Sequence, residues 1–241
     1  MPDILLKKIT KYYGKTLVIK EFDTVFNNGE FVTLLGPSGC GKTTTLRMIA
    51  GFESPSGGEI YIGDELMSGK DVFVPAEKRN VGMVFQSYAV WPHMNVYGNV
   101  AYPLKIRNLS KPEIKEKVMS VLEDLGLLGY EDKMPSELSG GQQQRVALGR
   151  ALVSESKILL CDEPLSNLDA RLRKKMRHEI KRVQEKYAMT VVYVTHDLTE
   201  ATEMSDRIYV LNEGVVQQVG TPDEICGSPA NEFVREFIGD Y

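Results

Sequence analysis

The octapeptide Gly36-Pro37-Ser38-Gly39-Cys40-Gly41-Lys42-Thr43 constrains this chain more than any other segment. It fits the phosphate-binding pattern Gly-x4-Gly-Lys-[Ser/Thr], which average residue usage produces by chance in roughly one chain per hundred of this length. The context sharpens it. An apolar run, Phe31–Leu35, leads into the octapeptide, and Leu46, Ile49 and Ala50 repeat behind it at helical spacing until Gly51. Strand, glycine-rich turn and helix in that order let backbone N–H groups and a helix N-terminus converge on a phosphate. Lys42 is placed to reach the β- and γ-phosphates, and Thr43 to put its hydroxyl on Mg²⁺.

The strand must belong to an α/β core. Residues 81–85, 157–161 and 190–195 are further apolar runs of the kind a buried parallel sheet uses. Residues 60–62, between Gly57-Gly58 and Gly63-Asp64, read as an antiparallel hairpin near the N-terminus. Residues 207–211 and 215–219 flank Asn212-Glu213-Gly214, a second hairpin signal. From about Ser87 to Ser154 the pattern is helical. Ser110-Lys111-Pro112-Glu113 opens one helix as a capping box, followed by Ile114, Val118, Val121, Leu122 and Leu125 and stopped at Gly126. Ser139 to Gln142 is a second box, with Val146, Ala147, Ala151 and Leu152 behind it. Residues 231–238 read as a short C-terminal helix. The expected layout is an α/β core over 1–86 and 155–241, with a helical insertion over 87–154.

The run 157–161 ends on Asp162-Glu163. A strand that carries two acids to the C-terminal edge of the sheet sets them beside the phosphate loop. Asp162 is the candidate Mg²⁺ ligand and Glu163 the candidate general base for water. Leu138-Ser139-Gly140-Gly141-Gln142 is a second small-residue anion site at a helix start.

Those three motifs, in this order and spacing, resemble the ABC-type ATPases, and the resemblance covers nearly the whole chain. It is carried by GPSGCGKTTTLRMIAG, RNVGMVFQSYAVWPHMNV, PSELSGGQQQRVALGRAL and CDEPLSNLDA. The chain most resembles the ATPase subunits of solute importers of the maltose type and its carbohydrate, polyamine and iron relatives. The resemblance implies a P-loop NTPase core with a mixed sheet, an N-terminal antiparallel β subdomain and an inserted helical subdomain. It implies ATP and Mg²⁺ as cofactors. Tyr13 and Val18 are implied at the adenine, and Gly36, Ser38, Gly39, Cys40, Gly41, Lys42, Thr43 and Thr44 at the phosphates. Gln86 is implied as the Q-loop glutamine, a ligand of Mg²⁺ or the attacking water. Asp169, in Ser166-Asn167-Leu168-Asp169, is implied as the D-loop acid and His196 as the switch histidine. Ser139, Gly140, Gly141 and Gln142 would contact the nucleotide of a second copy packed head to tail.

Separate transmembrane permease subunits and, indirectly, a solute-binding protein are the implied partners, with the chain peripheral on the cytoplasmic side of the membrane. Residues 87–96, with Tyr88, Val90, Trp91, Pro92, His93 and Met94, resemble the groove that receives a permease helix. Relatives of the maltose type usually continue into a C-terminal regulatory domain. These residues stop at Tyr241, where it would begin, so the resemblance here is to the ATPase domain without it.

Composition narrows the alternatives. With 29 basic and 33 acidic residues, nothing in the balance argues for nucleic acid. The basic residues around His178 accompany Leu172, Met176, Ile180 and Val183 at core spacing, so they read as the solvated faces of a packed helix. Three scattered cysteines, Cys40, Cys161 and Cys226, fit neither a metal spacing nor a disulfide scaffold and suit a reduced compartment. A soluble ABC-type ATPase acting on DNA, chromosomes or ribosomes would carry coiled-coil arms, zinc modules or tandem cassettes. A P-loop kinase or GTPase would lack Leu138-Ser139-Gly140-Gly141-Gln142.

Overall fold

A computed structural model describes residues 3–239. The strand Phe31–Leu35 (β3) forms as the sequence predicts and lies near the middle of a six-stranded mixed sheet. Its partners are Thr190–Thr195 (β8) and Arg207–Asn212 (β9), both parallel to it. Ile158–Asp162 (β7) and Gly82–Val84 (β6) extend the parallel side. Val215–Gly220 (β10) closes the other edge as the antiparallel arm of the expected hairpin. The expected strand at 81–85 is trimmed to its three central residues.

The apolar runs are continuous because both sheet faces are covered. Val32, Leu34, Ile158, Leu160, Val192 and Val194 enter one core, with the helix Lys42–Ala50 (α1) and the N-terminal sheet. Their neighbours Phe31, Leu159, Cys161, Val191 and Tyr193 enter a second core, beneath the helices. Alternation of period two therefore divides each strand between two cores, at roughly 2 kcal/mol per buried large side chain.

The N-terminal sheet has four antiparallel strands: Ile4–Tyr13 (β1), Thr16–Phe26 (β2), Gly57–Ile62 (β4) and Glu65–Ser68 (β5). The β4–β5 pair is the expected hairpin. The β1–β2 pair was not expected, and its geometry says why. Register shifts interrupt the pairing, and Lys8 and Glu21 sit in left-handed backbone, so neither strand shows clean alternation in sequence.

Between β6 and β7 the described residues form the helices Val96–Ile106 (α2), Lys111–Asp124 (α3) and Gly140–Leu152 (α4) and one short 3-10 turn, Pro135–Glu137, with no strand. Both expected capping boxes form, at Ser110/Glu113 and Ser139/Gln142. Ala170–Tyr187 (α5) covers the sheet between β7 and β8 in sequence; Met176, Ile180 and Val183 are buried and Leu172 is partly so. Arg177 departs furthest from the solvated-face expectation. It is buried, its Nε donating to Glu203 at 2.7 Å. His178 is exposed. Leu198–Met204 (α6), Pro222–Gly227 (α7) and Glu232–Gly239 (α8) complete the chain, the last one residue offset from the expected helix.

Arg79 fastens α1 to the N-terminal sheet. It is 2% exposed. Its guanidinium donates to Val74 O, Met48 O, Ile49 O, Met67 O and Ser68 Oγ at 2.6–3.1 Å. The C-terminal carbonyls of α1 are thereby capped by a cation. Gly51, left-handed after α1, leaves room for it, since a Cβ there would lie 2.5 Å from Arg79 Nε.

Candidate nucleotide site

Residues 36–41 join the C-terminal end of β3 to α1. Gly36, Gly39 and Gly41 all have positive φ. At Gly36 a Cβ would lie 2.2 Å from Leu211 O, and at Gly41 2.4 Å from Ile19 Cδ1, so both positions also need the missing side chain. Helix α1 begins on Gly41 with no side-chain cap. By contrast α2, α5, α6 and α7 begin on the side-chain acceptors Asn95, Asp169, Asp197 and Thr221. A helix start without a capping side chain is an arrangement that suits an anion.

Lys42 is 4% exposed, and its ammonium donates to Gly36 O and Pro37 O at 2.7 and 2.8 Å. It is held across the mouth of the loop, where a phosphate oxygen would compete for it. Cys40 is buried beneath, and burial pushes its thiol up despite the neighbouring ammonium, which disfavours a reactive thiolate. Ser38 and Gly39 form the exposed tip; Thr43 and Thr44 are half-buried.

Strand β7 delivers Asp162 to the start of α1. Thr43 Oγ1 donates to Asp162 Oδ1 at 2.7 Å. Asp162 is 8% exposed, and burial raises its carboxyl above the usual range, with Thr43, Arg47 and Lys42 opposing. A hydroxyl beside a carboxylate is a hard-oxygen pair that suits Mg²⁺, which takes one or two protein carboxylates and completes its shell from phosphates and water. Among the described residues no cluster of three or more His, Cys, Asp or Glu could hold a metal alone. Thr43 and Asp162 are donors of the kind such a cation takes.

Glu163 follows in left-handed backbone at φ 44°. Non-glycine residues pay strain there, and such strain concentrates at functional sites. Its N–H donates to Val194 O at 3.0 Å, and its Oε2 lies 3.0 Å from His196 Nδ1, just past the end of β8. Two residues from distant parts of the sequence are thus in contact at the C-terminal edge of the sheet.

Tyr13, at the end of β1, is 46% exposed; its hydroxyl is bound to Glu53 and its ring lies under Lys11. Val18 is half-buried near Gly41. Gly214 joins the two sheets here, its N–H donating to Cys40 O and its C=O accepting from Lys20 N.

Ser139, Gly140, Gly141 and Gln142 form the first turn of α4. Gln142 folds back, accepting from Ser139 N at 2.9 Å. Gly141 packs on Leu172, where a Cβ would sit 2.8 Å from that side chain. Asp169 caps α5, accepting from Leu172 N at 3.0 Å. Gln86 is exposed after β6, and its carbonyl accepts from Asn167 Nδ2 at 2.9 Å. Asn167 therefore ties two loops together, a link visible only in three dimensions.

A groove of ≈ 470 Å³ lies beyond Gln86. Of residues 87–96 it takes only Ala89 and Trp91; its other walls include Phe52, Phe85, Tyr102 and Ile106. Tyr88 of the same stretch faces the helical core. Trp91 is fixed by Tyr102, 4.4 Å between ring centroids, and by Arg150, 4.6 Å from its ring.

This fold and loop define a P-loop nucleotide-binding protein of the α/β class. Residues 19–166 match the sequence profile described as ABC transporter. The chain belongs to that family. It is 54% identical, over 99% of its length, to the trehalose/maltose import ATP-binding protein MalK of Thermococcus litoralis. It is 51% identical over 98% to the spermidine/putrescine import ATP-binding protein PotA of Acetivibrio thermocellus. It is 50% identical over 98% to the Fe(3+) ions import ATP-binding protein FbpC of Agrobacterium fabrum. The chain spans 65% of the length of that MalK and 66% of the other two. Among solved structures it is similar to a dimeric bacterial ABC transporter cassette, MJ0796, with a TM-score of 0.80 and 34% identity over 91% of this chain and 98% of that one. A post-hydrolysis state of the same cassette bound to ADP and Pi has a TM-score of 0.79, at 32% identity and the same coverage.

Proposed function

We propose that this chain is the ATP-hydrolysing subunit of a membrane importer, working as a head-to-tail dimer with two composite sites. The observation that carries the reading is the convergence of Lys42, Thr43–Asp162 and Glu163–His196 on one sheet edge beside an uncapped helix start. Lys42 exchanges its carbonyl partners for the β- and γ-phosphates. Thr43 and Asp162 hold Mg²⁺, which when bound neutralises phosphate charge. Glu163 takes a proton from the attacking water at its carboxylate, while His196 orients that carboxylate and hydrogen-bonds the γ-phosphate. Gln86 reports the site's state to the adjoining groove. Tyr13 and Val18 support the adenine.

The first turn of α4, at Ser139 and Gly141, supplies N–H groups and a hydroxyl to the γ-phosphate of the second copy, and Asp169 links the two sites. A γ-phosphate gripped from both sides favours the closed dimer, and its loss favours opening. The apolar groove around Trp91 receives a cytoplasmic helix of a permease subunit. The three import relatives, named for trehalose/maltose, spermidine/putrescine and Fe(3+) ions, support the reading of uptake. The chain itself would sit on the cytoplasmic face; among its described residues no helix is long and apolar enough to cross a membrane.

The test is light scattering on the Glu163→Gln chain. It should dimerise with Mg²⁺–ATP, dissociate with ADP and scarcely turn ATP over. ATP binding without dimerisation, or undiminished turnover, would sink the composite site or the role of Glu163 respectively.

A further inference from the structure

His196 is exposed, yet the chain on either side of it is fixed to buried groups. Thr195 Oγ1 accepts from Asp197 N at 3.0 Å and donates to Glu200 Oε2 at 2.8 Å. Glu200 is 3% exposed and also accepts from Tyr193 OH at 2.9 Å, so a carboxylate inside the protein anchors the turn that presents His196. Asp197 starts α6, its Oδ1 accepting from Glu200 N at 3.1 Å.

The other oxygen of Asp197 leads elsewhere. Arg173 Nη1, on α5, donates to Asp197 Oδ2 at 3.2 Å. Its Nη2 donates to Leu168 O at 3.2 Å, the carbonyl immediately before Asp169. Its Nε is buried without a hydrogen-bond partner and lies 3.8 Å from Glu200 Oε1. One planar fork therefore spans three points: the corner at Leu168 and Asp169, the residue after His196, and the buried anchor under the turn. Only a guanidinium has donors in that geometry.

We propose that Arg173 is a positioning residue that couples the Asp169 corner to the presentation of His196. The proposal deepens the function proposed above and rests on it for its meaning. There, Asp169 faces the second subunit and His196 faces the γ-phosphate in its own subunit. Movement of the Leu168 carbonyl pulls one arm of the fork. The other arm turns Asp197, and the unbonded Nε is placed to close on Glu200 as the fork shifts. The state of the partner's site thus reaches His196 through a single side chain that touches neither nucleotide.

The test needs no turnover. The chain has three histidines, His93, His178 and His196, so ring resonances of histidine-labelled protein separate, with His196 assigned by its loss in His196→Gln. Asp169→Ala removes the α5 cap and disturbs the corner. In the parent background it should displace the His196 signal. In an Arg173→Met background the displacement should shrink sharply, and in Arg173→Lys it should be intermediate; thermal melts confirm that each is folded. Equal displacement in all backgrounds, or none in the parent, overturns the proposal. In a second arm, Arg173→Met should lower kcat about tenfold while KM for ATP stays within about twofold. An unchanged kcat, or a loss confined to KM, also overturns it. A parent chain with no ATPase activity would refute the proposed function, and the resonance arm would still decide the coupling.

Discussion

Arg79 offers the sharpest test of what holds the phosphate loop in register with the N-terminal sheet. Replacing it with Met keeps most of the volume and removes all five hydrogen bonds. Their losses are unequal. Met48 O still accepts from Gly51 N, and Met67 O still accepts from Val74 N. The Ser68 hydroxyl can turn to another acceptor. Val74 O and Ile49 O lose the donor that satisfies them inside the protein. An orphaned buried acceptor costs about 1–3 kcal/mol, so the pair costs about 2–6. Against this, the variant no longer buries a guanidinium. Burial lowers the Arg79 pKa to about 10, which leaves it a cation at neutral pH and makes that desolvation cost real. A net loss of about 3 kcal/mol follows, which for a chain of this size is a fall in Tm of about 6–12 °C. Arg79→Lys should fall between, since an ammonium has three donors and no fork. Calorimetry of the nucleotide-free chain reads both. A Tm within about 2 °C of the parent for Arg79→Met would mean that desolvation cancels the bonds, and the strut would not stabilise the fold.

Lys42→Ala should weaken ATP binding by about 10- to 100-fold, the worth of one charge-assisted contact to phosphate; titration calorimetry giving unchanged affinity would remove Lys42 from the site. Asp162 has a folded pKa raised above its unfolded value, so its contribution to stability is present at acid pH and is lost as pH rises through the folded pKa. Asp162→Asn should therefore melt higher than the parent at neutral pH without nucleotide, and the gap should close below the ordinary carboxylate range. A lower melting point at neutral pH would contradict the assignment. Gly214→Ala places a Cβ 2.1 Å from Val18 O at φ 76°, and should cost about 2–4 kcal/mol; a denaturation midpoint matching the parent would show that the two sheets can part there freely.

How far the sequence carries depends on the range of the interaction that shapes each element. Strands β3 and β8 form over the predicted residues because burial on both faces writes itself as an unbroken apolar run. Capping boxes at Ser110 and Ser139 are local in chain, so they are legible. Strands β1 and β2 are not, because bulges at Lys8 and Glu21 break the period that reveals a strand. The site divides in the same way. Gly36 through Thr43 is one contiguous motif. Arg173, Asn167 and Glu53 act on residues brought near only by folding, and no spacing in sequence announces them. The groove is the intermediate case: Trp91 was visible as an aromatic cluster, while Phe52 and Ile106 come from other elements.

Three features of the proposed site are unfavourable in themselves. A glycine at the N-cap of α1 leaves donors without a side-chain acceptor, Asp162 is buried with its ionised form disfavoured, and Glu163 sits in left-handed backbone. On the proposed function a phosphate with its cation would relieve the first two: the donors would gain an acceptor and the carboxylate a positive charge. Binding that removes several native-state penalties at once couples strongly to stability. Nucleotide should consequently raise the melting temperature of the parent more than that of Asp162→Asn. The difference should vanish in EDTA, because on the proposed reading the carboxylate acts through Mg²⁺ and the loop backbone does not. A shift in melting temperature that is equal in the two chains with Mg²⁺ present would place the metal elsewhere than on Thr43 and Asp162.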